Sequence, residues 1–183
     1  MKTSLSKFNY SDSTDRTKSC AFVCRKDYYG DRAVIADLVG SILQISYPSD
    51  FRHDDDDLHC KYGDDKIAYL RQFRFNLCPE NTNNLGYVTE KVFQAIQAGC
   101  IPVYWGNEGY PEPGILNPKA IVYIDIDNPT EGLAQLKHLN EDSEVYADFI
   151  SRPRFLPGAA DAIYGYFERA EQKLRQVILG GNA

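Results

Sequence analysis

No apolar run in the 183 residues approaches the ~18 consecutive residues that a membrane-spanning helix needs. The polar opening stretch, MKTSLSKFNYSDSTDRTKS, has no apolar segment of the secretory-signal type. Asn9-Tyr10-Ser11 matches a glycosylation sequon, but without such a signal it reads as a chance match. Histidine is scarce, with three in the chain, and no Gly-x-Ser-x-Gly elbow occurs, so a hydrolase triad has no support. A Gly-Lys-Ser/Thr phosphate loop is also missing, which argues against a nucleoside triphosphatase. The five cysteines, Cys20, Cys24, Cys60, Cys78 and Cys100, are odd in number and fit no zinc spacing. They are expected as buried free thiols, which favours a reducing compartment and a cytoplasmic protein, peripheral to a membrane at most. Net positive charge is lacking too. Lys plus Arg number 20 and Asp plus Glu 26, a net charge of −6, so no nucleic-acid partner is expected. A small anionic ligand stays open, because a few placed cations and a helix N-terminus suffice for a phosphate.

What is present is an ordinary globular composition, 43% hydrophobic and 25% charged, enough for a sizeable core. Residues 1–18 form a polar lead-in, and 19–183 are expected to form a single domain. CAFVC (20–24) reads as a buried strand. Apolar residues at 34, 35, 38, 39, 42 and 45 predict a helix over 31–46, with Asp31 as its N-cap. Residues 47–65 read as a loop, followed by a short helix to about Arg71. FRFNLC (73–78) is a strand and PENTNNLG (79–86) is turn chemistry. Thr89 caps a helix over 90–98 that Gly99 ends. CIPVYW (100–105) is a strand, 107–118 a loop, and AIVYID (120–125) a strand. Helices near 130–139 and 142–150, a Pro-rich link at 153–157 and a last helix over 160–178 complete the chain. Strands alternating with helices imply a Rossmann-like α/β domain, a mostly parallel sheet flanked by helices. Ligands in such sheets bind beyond the strands' carboxyl ends.

Two cations stand at expected helix starts, where the dipole disfavours them. Lys91 follows Glu90 in the first turn after the Asn-rich turn, and Arg32 opens the earlier helix. Each would be suited by a bound phosphate, but taken alone each reads first as a solvated surface charge. Asn81, Asn83 and Asn84 suit a turn that hydrogen-bonds its own backbone, and Gly86 a backbone need. The run Asp54–Asp57, between His53 and His59, reads as a solvated loop rather than a metal site. His138 reads as exposed. The many Tyr and Phe read as core.

The stretch FRFNLCPENTNNLGYVTEKVFQAIQAGCIPVYWG closely resembles the donor-binding signature of the alpha-1,3-fucosyltransferases, glycosyltransferase family ten. Its carriers are Glu80-Asn81-Thr82, Tyr87-Val88-Thr89-Glu90-Lys91 and Ile101-Pro102-Val103-Tyr104-Trp105-Gly106. SCAFVCRKDYYGDRAVIADLVGSI is similar to the family's earlier strand-turn-helix, and the resemblance covers about residues 18–178. It implies the C-terminal, GDP-fucose-binding half of a two-domain GT-B enzyme. The implied reaction is inverting transfer of L-fucose to an N-acetylglucosamine- or glucose-containing glycan. It also implies roles. Lys91 and Arg32 would neutralise the diphosphate, and Glu90 would hold sugar hydroxyls and offset positive charge. Asn81, Thr82 and Tyr87 would line the donor pocket. Cations and a helix N-terminus would serve the leaving group without an obligatory metal.

Two departures accompany the resemblance. Pro79 stands where the family usually has Phe. The family's N-terminal domain, with the acceptor groove and the proposed general base, has no counterpart in these residues. Glu108 and Glu112 are base candidates by location alone. A partner chain or self-association is therefore expected to complete the cleft. Two rival expectations stand beside transfer: a non-catalytic GDP-sugar-binding module, and a transferase using another nucleotide sugar.

Overall fold

The computed structural model of the chain describes residues 16–179. Most of the lead-in, with the Asn9 sequon, lies outside the described residues. Five parallel strands form one sheet: β1 (Lys18–Ala21), β2 (Ile45–Ser46), β3 (Phe73–Pro79), β4 (Ile101–Trp105) and β5 (Val122–Tyr123), in the order β2-β1-β3-β4-β5. The register is set by Cys20 opposite both Ile45 and Phe75, Phe75 opposite Ile101, and Val103 opposite Val122. Parallel neighbours need crossovers, and helices supply them. These are α1 (Asp31–Gly40), α2 (Asp57–Cys60), α3 (Lys66–Leu70), α4 (Glu90–Ala98), α5 (Thr130–Glu141), α6 (Ser143–Ser151) and α7 (Ala159–Leu179).

Side chains alternate across the sheet, as strand geometry requires. Ile101, Val103 and Trp105 of β4 pack with Ile35, Val39, Leu136 and Tyr146 on one face. Tyr104 packs with Tyr69, Val92, Ile96 and Leu116 on the other. Both faces being covered explains why β4 is a continuous apolar run, IPVYW. Arg16 ties the start of the domain down, donating to the carbonyls of Phe73 (3.0 Å) and Ala98 (2.8 Å). α7 packs through its first turns, at Ala159, Ala162 and Ile163, while Phe167, Leu174, Val177 and Ile178 are exposed.

Several expected boundaries move. The helix expected over 31–46 ends at Gly40, and Ile45–Ser46 becomes the edge strand β2. Its apolar spacing was compatible with a helix, but pairing with β1 recruits the segment into the sheet. Asp31 is the first helical residue rather than the N-cap. The cap residue is Gly30, and Asp27 replaces the cap side chain, accepting from Gly30 N (3.0 Å) and Ala33 N (2.8 Å). The loop at 47–65 contains α2. Asp55 and Asp57 do more than face solvent: both pair with Lys18 (3.6 and 3.1 Å), and Asp55 accepts from the Tyr69 hydroxyl (2.7 Å). The strand expected over 120–125 is shorter, with a 3-10 turn (Pro118–Ala120) before β5.

Four cysteines are buried free thiols, as expected, but Cys60 is exposed. Burial pushes the Cys100 thiol up to about 12 and raises Cys20, Cys24 and Cys78 above the ordinary thiol range. A thiol-specific chromogenic reagent at pH 8 should therefore titrate Cys60 alone in the folded protein, and all five thiols after denaturation. The raised values also carry a sign for stability. The thiols' contribution is whole below the ordinary value of 9.0. It is lost as pH climbs from there toward the folded values, because the unfolded chain ionises first. Among the described glycines Gly132 is the most closely packed: an added Cβ would clash with the Tyr123 carbonyl and lie 2.9 Å from Ile124 Cδ1. Gly132→Ala should cost about 1–3 kcal/mol in urea unfolding, because α5 must move off β5.

Candidate functional site

The strand order reverses direction between β1 and β3, and a crevice opens there at the carboxyl ends of the strands. A cavity of about 340 Å³ occupies it. Phe22, Val23 and Cys24 wall it from the end of β1, Asn76 and Leu77 from β3, and Glu90, Lys91 and Gln94 from α4. Leu58, Asp64 and Lys66 close the side formed by α2 and α3.

Arg32 is 8% exposed, not the solvated cation its position in the sequence allowed. Its side chain enters the crevice because α1 starts directly above the end of β1. Nε donates to Glu80 O (3.3 Å), Nη1 to Lys26 O (2.6 Å) and Cys24 Sγ (3.6 Å), and Nη2 to Asn81 Oδ1. Those bonds use four of the five guanidinium N–H groups and leave one. Among the described residues no carboxylate pairs with it. The guanidinium is hydrogen-bonded but carries an uncompensated charge, which burial makes costly.

Lys91 has the opposite circumstance. Its Nζ donates to Glu80 Oε2 (3.0 Å) and Thr89 Oγ1 (2.9 Å). Glu80 is 0% exposed. Its carboxylate also accepts from Thr89 N (2.8 Å) and the Thr89 hydroxyl (2.7 Å). An ion pair therefore compensates the cation that the sequence left unexplained. One ammonium N–H remains for a ligand, and the Lys91 side chain keeps 22% exposure toward the cavity. Thr89 is the cap residue of α4, as expected. Its hydroxyl is spent on Glu80, and α4 has no side-chain cap hydrogen bond. The first N–H groups of α4 keep their positive end toward the crevice.

The backbone is shaped around this carboxylate. Gly106 has φ 135°, and a Cβ there would sit 2.8 Å from Glu80 Cγ. Glu80 N donates to Trp105 O (2.9 Å), extending the β3–β4 ladder by one bond past Pro79. Asn107, 5% exposed, accepts from Gly86 N (2.6 Å) and donates to Tyr110 O (2.9 Å). Asn83 Oδ1 accepts from Glu108 N (2.7 Å). The Asn-rich turn is thus pinned to the loop after β4.

Of the residues singled out in the sequence, Arg32, Glu90 and Lys91 come together on the cavity wall, and Asn81 joins them through Arg32. Thr82, half-buried, and Tyr87, 38% exposed, lie on the turn outside the cavity lining. Glu108 and Glu112 lie outside it too. Glu80, Asn76 and Asn107 gained no role from the sequence. Asn76 could have been noticed as the one amide in an otherwise apolar strand core. It is 5% exposed, borders the cavity and donates to Cys78 Sγ (3.2 Å), while its Oδ1 is buried without a hydrogen-bond partner among the described residues.

The pair of Glu80 and Lys91 yields a quantitative expectation. Lys91→Met strands a buried carboxylate and should cost about 3–5 kcal/mol in urea unfolding at pH 7. Adding Glu80→Gln should recover part of that loss, so the double variant is more stable than the sum of the singles implies. Additive losses would show that the two groups do not interact.

Comparisons with known proteins bear on the family and the fold. The alpha-(1,3)-fucosyltransferase FucT of Helicobacter pylori is 38% identical over 86 residues, 46% of this chain and 18% of that enzyme. A crystal structure of an alpha1,3-fucosyltransferase superposes with a TM-score of 0.68 at 26% identity, covering 85% of this chain and 46% of that chain. A crystal structure of alpha1,3-fucosyltransferase with GDP-fucose superposes at 0.67 and 26% identity, over 86% of this chain and 48% of that one. The chain thus spans under a fifth of the bacterial enzyme and about half of the solved structures. The α/β fold is that of the matched portion of these GT-B fucosyltransferases. The family model for glycosyltransferase family 10 (fucosyltransferase), C-terminal part, matches residues 18–155. With three quarters of its length under that match, the chain belongs to glycosyltransferase family 10.

Proposed function

We propose that this chain binds GDP-fucose in the crevice between β1 and β3. In this proposal it takes part in inverting transfer of the fucosyl group to a hydroxyl of an N-acetylglucosamine- or glucose-containing glycan. The observation that carries the proposal is Arg32: a buried guanidinium on the cavity wall with no carboxylate partner among the described residues. A diphosphate would supply the missing counter-charge. The solved structure with GDP-fucose, superposing over 86% of this chain, supports the choice of nucleotide sugar.

In this proposal the site residues share the work. In transfer the bond between the anomeric carbon and the diphosphate breaks, and a bond from that carbon to the acceptor oxygen forms. The acceptor proton leaves to a base. The diphosphate gains charge as it departs. The remaining N–H groups of Arg32 and Lys91 and the free N–H groups of α4 stabilise that charge. They do so without an obligatory divalent cation. Glu80 and Thr89 fix where the Lys91 ammonium stands. Glu90 offsets positive charge on the sugar and takes its hydroxyls. Asn81, held by Arg32, borders the same pocket, with Thr82 and Tyr87 on the turn beside it. The base and most of the acceptor wall come from a partner chain, an acceptor domain or a second copy.

Calorimetry with GDP tests the donor site. Wild-type protein should bind GDP, Lys91→Ala should abolish measurable binding, and Arg32→Lys should weaken it about tenfold or more through loss of the planar fork. No GDP binding to well-folded wild type overturns the proposal. Transfer is read separately, as GDP released from GDP-fucose when N-acetyllactosamine or lactose is added, in buffer containing EDTA. Binding without release leaves a nucleotide-sugar-binding module. A thermal-shift panel of GDP-fucose, GDP-mannose and UDP-sugars separates the donor alternatives.

A further inference from the structure

Beyond the donor crevice, a second concavity lies along the outer edge of β5, the terminal strand of the sheet. Two adjoining hollows of about 350 and 420 Å³ share Tyr110, Glu131 and Gln135 and form one groove. Tyr123, Asp125 and Asn128 complete its carboxyl-end half. The rings of Tyr110 and Tyr123 stand 5.3 Å apart at 39° and give the groove an aromatic wall. Tyr110 is 43% exposed, so its ring is open to a ligand. Around the rings stand two carboxylates and two amides, from the loop after β5 and from the first turns of α5.

The composition selects a ligand class. A pyranose presents an apolar face of C–H groups and a rim of hydroxyls. A tyrosine ring suits the face, because it buries apolar area at little entropic cost. Carboxylates and amides suit the rim, because each accepts from hydroxyls and the amides also donate. Asp125 and Glu131 disfavour an anion at this end of the groove, whereas Lys119 and Arg152 line the other end, beside Pro118. We propose that the carboxyl-end half of this groove, walled by Tyr110 and Tyr123, is a subsite for a neutral saccharide unit of the acceptor glycan.

Position supports the assignment. The donor crevice lies between β1 and β3 and β5 stands two strands beyond β3, so the groove on its outer edge is about 12–15 Å away at ordinary strand spacing, a span of about three sugar rings. The loop between them is rigidly built. Gly106, Asn107, Glu108, Gly109, Glu112 and Gly114 all hold positive φ, and three of these are not glycine. Strain of this kind persists only where surroundings hold it. Here Asn107 holds it, bonding Gly86 of the donor turn on one side and Tyr110 on the other. The same amide therefore fixes the donor turn and the aromatic wall relative to each other. Burial, with Glu131 adding to it, raises the Tyr110 hydroxyl above the ordinary tyrosine value.

The proposal rests on the transferase assignment for the choice of acceptor, and its test is separable from that of the donor site. N-acetyllactosamine is titrated into the full chain, with and without GDP, and followed by ligand-observed saturation-transfer NMR. Wild type should show transfer to the disaccharide. Tyr110→Ala should weaken it about tenfold, and Gln135→Ala, on an exposed helix face, at least about threefold. GDP affinity should stay within about twofold in both variants, since neither removes a bond of the donor turn. Unchanged disaccharide binding in both variants overturns the proposal, as does wild type that binds GDP but no disaccharide. Failure of GDP to bind overturns the donor site alone, because the nucleotide-free titration still reports on the groove.

Discussion

A carboxylate sealed from solvent organises this molecule's crevice. Glu80 sits one residue past the end of β3, at 0% exposure. A buried carboxylate is costly unless it is paired and hydrogen-bonded. Glu80 meets that condition with a lysine ammonium, a backbone N–H and a hydroxyl at once. In meeting it, Glu80 fixes the start of α4, locks Thr89 and holds Lys91 at the cavity wall. Its own carbonyl receives Arg32. Gly106 is required because no side chain fits against the Glu80 stem. One buried group thereby couples the ends of β3 and β4 and the starts of α1 and α4.

The two cations consequently differ. Lys91 is already neutralised and offers a ligand one N–H and a share of its charge. Arg32 is braced by carbonyls, a thiol and an amide, with no carboxylate, so its positive charge is unbalanced. In a partly buried crevice such a charge is weakly screened and favours an anion from a distance. The free N–H groups of α4 add to the same potential. The sequence pointed first at Lys91, as a cation misplaced on a helix dipole. The structure shifts the larger electrostatic debt to Arg32.

Much of the fold was legible because its signals are local. The alternating segment at 73–78, the apolar run at 100–105, the amphipathic 90–98 with Gly99 after it, and the alternation of strands and helices all follow from spacing and turn chemistry. The parts that were not legible depend on distant residues. Ile45 and Ser46 continue a helical apolar pattern, and only the open edge of β1 makes them a strand. Asp31 is a competent cap by type, but Asp27 reaches the same N–H groups across the turn at Gly30. The acidic run looked solvated until Lys18 and Tyr69 were brought against it by β1 and α3. Thr82 and Tyr87 fall within a motif, yet the turn carries them away from the cavity.

The sequence by itself determined a parallel α/β domain, its motif-bearing strand–turn–helix units and the presence of two cations at helix starts. These follow from periodicity and from residue types whose preferences act within a few positions. Only the tertiary structure decided which cation lacks a counter-charge, that Glu80 is the hidden partner of Lys91, and that Asn107 joins the donor turn to Tyr110. Those facts depend on burial and on pairs separated by 11 to 48 residues. Charge compensation is a property of the space around a group, and the order of residues along the chain does not encode it locally.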